Sequence, residues 1–369
     1  MKKKVSMLST LPPTKGLSPY TLGLVKELSK NCGVDFFGFK SIYPEFLYPG
    51  GTKTNEKEPQ VKNVNIINNI TWYNPVSWVK TGYQIDTKIL HAQWWSWALA
   101  PMYLTILGIA RARGKKIIMT IHNVKPHEKS WLKNFLNSSV INLADEYIVH
   151  SEDNRKLFQS LTKTKKKISV IPHGTIEMGK PSKSRKDLRK LYKYTDSERV
   201  LLFFGNIRDY KGLDVILISL SKIKDGKVKL IIAGSPWKSF DEYTEIINKL
   251  KLQERVKTFL GFNPETKIAE LFTVSDLVVF PYKEFEASSG AGTVALNFEK
   301  PMVVTDVGGL PDIVKDKGVV AKPKDSDDLK DKIVYALKNL KKLEKDSKEK
   351  AKEFSWKEIA KKTGEVYGR

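Results

Sequence analysis

At 369 residues, and with roughly 150 residues per domain as a guide, the chain is long enough for two domains with cores of their own. Its 41% hydrophobic and 28% charged content is that of a soluble globular protein, and the single Cys32 excludes an internal disulfide framework and suits a reducing, cytoplasmic compartment. The net charge of +23, from 64 Lys and Arg against 41 Asp and Glu, predicts attraction to anions such as nucleotides, nucleic acid or acidic lipid headgroups.

The amino terminus, MKKKVSMLSTLPPTKG, has a basic start but meets Pro12 and Pro13 before any signal-like apolar stretch develops, so it reads as a first strand over 3–9. Short runs rich in Val, Ile and Phe predict further strands at 34–39, 89–92, 116–121, 146–150 and 168–172. The stretch WALAPMYLTILGIA (97–110) contains Pro101 and is shorter than the roughly 20 residues of a membrane-spanning helix. Residues 173–198 are polar, basic and free of strand pattern, which predicts an interdomain linker. Strands follow at 200–205, 228–234, 256–261, 277–282, 301–306 and 318–322, with helix-like segments between them. The lysine-rich run at 338–353 reads as a charged helix surface. This alternation predicts an α/β chain of two doubly wound, parallel-sheet, Rossmann-like domains, 1–172 and 199–350, with a final segment 351–369. Ligands of such sheets sit at the carboxyl ends of strands, so the expected place for chemistry is a cleft between the two domains.

Two loops that follow strands have the composition of an anion site. In GNIRDYKGLD, Gly205 is followed by Arg208 and Lys211, an arginine fork and a lysine point charge able to neutralise a diphosphate. In EASSGAGTVALNF, Ser288 or Ser289 is the expected N-cap of a helix whose first N–H groups, from Gly290 onward, face a ligand. Glu286 stands just before that bare backbone.

These segments, together with VKTFLGFNPETKIAELFTVSDLVVFPY, the run through VVTDVGGLPDIV and the closing FSWKEIAKKTGEVY, resemble glycosyltransferase family 4, which has the GT-B fold. The resemblance implies a retaining transfer of a hexose-type sugar from a UDP- or GDP-sugar, with no bound metal or cofactor. It assigns the leaving diphosphate to Lys211, Arg208 and the amides from Ser289 onward, and places Glu286 beside the transferred sugar. Gly205, Phe262, Ser288, Ser289 and Gly290 are then donor-binding residues, and Gly16, before a helix from about Pro19, belongs to the loop that closes over the donor phosphates. The family's second glutamate is replaced by Val294, a departure shared by a branch with a Gln-Ser-Gly segment like Ser288-Ser289-Gly290. The first domain becomes the acceptor-binding half, and the final helix returns to it.

His122, at a strand end in TIHNVKPHE, matches the histidine that contacts the donor sugar, and its unperturbed pKa suits proton transfer. His127, Glu128, Trp94 and Trp95 are candidate acceptor contacts. The five histidines and one cysteine show no metal-ligand spacing. Six of the eight tryptophans fall in the first domain, some beside lysines, which suits packing, a sugar or lipid-linked acceptor, or an anionic membrane surface. The alternatives are a same-fold nucleotide-sugar epimerase or phosphorylase, and a non-catalytic anion- or nucleic-acid-binding protein. The last lacks any recognisable groove-reading or single-strand motif.

Overall fold

The computed structural model describes residues 4–43, 52–53, 57–124, 131–176, 178–285 and 289–368. They form two compact units, Met1–Gly174 with Trp356–Arg369, and Thr175–Ser355.

Unit 1 is built on seven parallel strands: β1 Lys4–Leu8, β2 Gly33–Ser41, β3 Val64–Thr71, β4 Ile89–Trp94, β5 Lys116–Ile121, β6 Glu146–Val149 and β7 Ile168–Val170, in the spatial order β3-β2-β1-β4-β5-β6-β7. Its connecting helices are α1 Ser18–Leu28, α2 Pro75–Gln84, α3 Ala100–Ala112, α4 Trp131–Asn142 and α5 Glu152–Thr162. Apolar clusters cover the sheet, one including Phe37, Trp94, Tyr103 and Ile117 and another including Val5, Tyr20, Phe36 and Ile118. Neighbouring residues of one strand, such as Phe36 and Phe37, belong to different clusters, as a strand buried on both faces requires. The strand β3 escapes the sequence reading because VNIINNIT carries three asparagines, poor strand formers, and pairs with β2 alone as an edge.

Unit 2 holds β8 Arg199–Phe204, β9 Val228–Gly234, β10 Val256–Leu260, β11 Leu277–Phe280, β12 Met302–Thr305 and β13 Val320–Ala321, all parallel in the order β10-β9-β8-β11-β12-β13. Its helices are α6 Arg185–Leu191, α7 Leu213–Lys222, α8 Asp241–Lys249, α9 Glu265–Val274, α10 Gly290–Asn297, α11 Ser326–Lys338 and α12 Leu340–Glu353. The order reverses at β8, between β9 and β11, and the loops leaving β8 and β11 therefore stand side by side.

The expected linker 173–198 is corrected by α6, which belongs to unit 2. Leu188 is fully buried, and Arg189 is 5% exposed, with its guanidinium on the carbonyls of Val274, Thr195 and Glu198. Arg185 caps the carbonyls of Thr273 and Ser275 at the end of α9 and pairs with Asp276 at 2.7 Å. The basic residues that make the segment look like a linker are its anchors.

The last helix, α13 Trp356–Tyr367, belongs to unit 1 and packs on α1. The Trp356 indole lies against two glycines: a Cβ on Gly23 would fall 2.2 Å from it and one on Gly174 2.5 Å. Gly23→Ala and Gly174→Ala should each destabilise unit 1 by about 1–3 kcal/mol through overpacking, and the pair should be less than additive because both displace one ring. Urea denaturation of the singles and the double checks this.

Candidate functional site

The strand β8 is followed by Gly205, φ +111°, where a side chain would fall 2.9 Å from the ammonium of Lys211. A one-turn 3₁₀ segment, Asp209–Lys211, follows and closes at Gly212, φ +69°, where a Cβ would sit 2.0 Å from the Pro281 carbonyl oxygen. Both positions favour glycine, Gly205 because its φ of +111° strains any residue with a Cβ and Gly212 because the turn is pressed onto the backbone just after β11. Lys211 is thereby held at 8% exposure with Nζ 5.0 Å from the Tyr282 ring centroid. Among the described residues no carboxylate forms an ion pair with it. Burial, reinforced by the Arg208 charge, pushes its pKa down to about 8.

The helix α10 supplies the other side. Ser289, 5% exposed, is the N-cap: its Oγ accepts from the Gly292 N–H at 3.2 Å and lies 3.2 Å from the Tyr282 hydroxyl. That leaves the Gly290 and Ala291 N–H groups without an acceptor among the described residues. The position of a Gly205 Cβ is also 3.5 Å from the Ala291 Cβ, so ammonium and helix terminus border one small space. The approach from β11 is fixed residue by residue. The Lys283 N–H donates to the Tyr210 carbonyl at 2.7 Å, Lys283 pairs with Asp214 at 2.8 Å, and Phe285 stacks on Tyr210. Glu286 and Ser288 lie outside the described residues, as do His127 and Glu128.

Arg208 stacks on Trp237 with its Cζ 4.0 Å from the ring centroid, beside a pocket of about 260 Å³ that also meets Glu242, Tyr243 and Glu284. Sequence reasoning did not single out Trp237. Its signal is position: it follows β9, and its N–H donates to the Ile207 carbonyl at 3.0 Å, so the loops after β8 and β9 run together. Phe262, after β10, is 89% exposed. Val294 is 2% exposed in the apolar core of unit 2, where a glutamate would need a partner for a buried charge.

In unit 1, Gly16 (φ +98°) occupies the loop between β1 and α1. Trp94, read from sequence as an acceptor contact, is 1% exposed and hydrogen-bonded through Nε1 to Asn137 Oδ1 at 2.6 Å, so it is a core residue with no face to stack on a sugar. Trp95 is half-buried, edge-on to Phe39 and Tyr103. His122 does not stand alone. His91, His122, His150 and His173 gather around Tyr20 and Gln93, with His122 Nδ1 3.1 Å from His150 Nε2 and His122 Nε2 2.7 Å from the Gln93 amide. Burial holds all four below the ordinary imidazole range, His91 and His150 down to about 3. Among the described residues, no three His, Cys, Asp or Glu side chains are grouped to hold a metal ion.

Comparison with known proteins bears on the same loops. The family Glycosyl transferases group 1 matches residues 184–354, a span that falls within unit 2. The chain is 31% identical over 186 residues to the D-inositol 3-phosphate glycosyltransferase of Mycobacterium marinum, covering 48% of this chain and 38% of that one. It is 32% identical over 186 residues to a glycosyltransferase of Methanocaldococcus jannaschii, covering 47% and 45%. It thus spans less than half the length of these curated relatives. Among solved structures it resembles sucrose-phosphate synthase from Thermosynechococcus elongatus (TM-score 0.69, 18% identity, 99% of this chain and 98% of that one). It also resembles HepE from Anabaena in complex with UDP and glucose (0.66, 17%, 99% of each). The likeness shows the fold, GT-B, with two Rossmann-like units.

The histidine cluster sets a pH dependence. Each ring's pKa is lower folded than unfolded, so below about pH 6.5 the unfolded chain binds more protons, and unit 1 should lose stability as pH falls from 7 toward 4. Denaturant midpoints measured across that range should fall. A flat profile would mean that the rings are open to solvent.

Proposed function

We propose that the protein is a retaining, metal-independent glycosyltransferase that moves a hexose-type sugar from a UDP- or GDP-sugar to a glycan or lipid-linked acceptor. The observation that carries this reading is the buried ammonium of Lys211, without an ion-pair partner among the described residues, beside the first turn of α10 at the carboxyl ends of β8 and β11. A lysine held out of water without a carboxylate is costly, and a diphosphate is the partner that relieves it. The HepE complex, whose fold this chain shares, holds UDP and glucose.

In this reading the bond between the anomeric carbon and the β-phosphate oxygen breaks while the acceptor oxygen bonds to the same face of the carbon. The acceptor's proton passes to the departing phosphate oxygen. Negative charge grows on that phosphate, and Lys211, Arg208 and the Gly290 and Ala291 amides are the donors that meet it. Glu286 answers the positive charge that grows at the sugar. The exposed ring of Phe262 offers a stacking face to the nucleobase.

Titration calorimetry with UDP, GDP and ADP, without added metal, tests this. One nucleotide should bind selectively, and Lys211→Ala should weaken it about 10- to 100-fold, the loss of one charge-assisted contact. The affinity should also fall as pH rises through about 8, where Lys211 loses its proton. Weak binding of all three, unmoved by the substitution, would overturn the reading.

The membrane-facing part of the proposal rests on α2. Trp72, Tyr73, Val76, Val79 and Tyr83 are 37%, 63%, 72%, 41% and 62% exposed, Lys80 lies among them, and Arg113 reaches to 5.9 Å from the Tyr83 ring. No carboxylate interrupts residues 71–85. Aromatic rings with interleaved cations suit an anionic bilayer surface. Co-sedimentation should show binding to phosphatidylglycerol vesicles over phosphatidylcholine ones, reduced severalfold by Tyr73→Ser with Val76→Ser. Equal pelleting of the wild type and the double variant would assign the attraction to overall charge.

A further inference from the structure

The histidines of unit 1 form an ordered hydrogen-bond chain. From its α13 end, the Tyr367 hydroxyl is 2.6 Å from His91 Nδ1, and His91 Nε2 is 2.7 Å from Thr120 Oγ1 and 3.2 Å from the Gln93 amide nitrogen. The Gln93 amide oxygen is 2.7 Å from His122 Nε2, His122 Nδ1 is 3.1 Å from His150 Nε2, and His150 Nδ1 is 3.0 Å from the Ile171 carbonyl.

One end of the chain is fixed. A carbonyl only accepts, so His150 Nδ1 carries a hydrogen. If His150 is neutral, its Nε2 accepts and His122 Nδ1 donates. If His122 is neutral as well, its Nε2 accepts, and only the NH₂ of Gln93 can supply the hydrogen. A half-turn of the amide, which keeps its shape, provides this and turns the amide oxygen toward His91 Nε2–H. His91 Nδ1 then accepts from the Tyr367 O–H. Every link is then satisfied with three neutral rings, His91 Nε2–H being shared between the Gln93 oxygen and Thr120 Oγ1. With the amide oxygen toward His122, both nitrogens of His122 or of His150 must carry hydrogen, which takes one extra proton.

We propose that Gln93 and His150 are positioning residues for His122: together they decide which of its nitrogens carries the proton, and a half-turn of the Gln93 amide accompanies uptake of one proton by the His122–His150 pair. Burial favours the neutral state near pH 7. The titratable groups around the pair are Tyr20 from α1, His91 from β4, His173 after β7, and beyond His91 the Tyr367 hydroxyl, itself beside Cys32. The charges that act on His122 are those of the other three histidines. A contact from His122 to a donor sugar rests on the function proposed above, whereas the proton order rests on distances within unit 1 alone.

Two-bond ¹H–¹⁵N spectra of the full chain with ¹⁵N-labelled histidine read the tautomers directly. At pH 7, His122 and His150 should be neutral with the proton on Nδ1, and His91 neutral with it on Nε2. His150→Phe should move the His122 proton to Nε2, paired with the Gln93 oxygen. Gln93→Glu, which places a carboxylate at that nitrogen, should raise the His122 pKa by one unit or more, about tenfold in protonated population. A wild-type His122 protonated on Nε2, or variants that fold and leave its tautomer and titration unchanged, would overturn the proposal. Nucleotide titration of unit 2 is a separate measurement, so failure here leaves the Lys211 site standing.

Discussion

A lysine ammonium at 8% exposure, with no ion-pairing carboxylate among the described residues, stands at the carboxyl end of the second sheet. Removing a charge from water costs several kcal/mol unless something answers it, and here the answer within the protein is partial: the face of Tyr282 and no ion pair among the described residues. The surroundings are arranged to keep the ammonium there. Gly205 makes room beneath it, and Gly212 lets the turn that carries it press on Pro281. Lys283, whose charge could have repelled it, is tied to Asp214. In the function proposed above, this ammonium and the helix terminus beside it would both favour a bound anion.

Much of this was legible in the sequence because parallel strands buried on both faces read as unbroken apolar runs. VLLFFG, VKLIIAG and LVVFPY announce themselves, and the residues that follow them line the candidate site. What stayed hidden had polar disguise or depended on spatial order. The asparagines of β3 mask an edge strand, and the arginines of α6 mask a helix that docks through its cations. Trp94 misled in the opposite sense, since nothing local tells a core indole from an exposed one; its hydrogen bond to Asn137 crosses 43 residues.

The histidine cluster is the instructive case. Four histidines stand on or just after four strands, in ILHAQW, TIHNV, IVHSE and VIPHG, separated by 23 to 31 residues. Sequence spacing alone shows no pairing. Once β4, β5, β6 and β7 are known to be consecutive neighbours, their ends fall in a row and the rings must meet. The information was present as a repeated position relative to strands, readable only with the strand order in hand.

The placing of Trp356 between Gly23 and Gly174 has a consequence for the order in which the protein is made. Unit 1 is interrupted by all of unit 2, so its α1 surface waits for a helix that leaves the ribosome more than 300 residues later. Unit 2 is continuous and can complete its core as soon as its own residues emerge, whereas unit 1 must persist as a sheet with an unfilled indole slot until α13 has been made. Chain closure across that span makes the last helix a late, non-local step. The slot lined by the two glycines is then a surface that a chaperone, or the wrong tryptophan, would meet first.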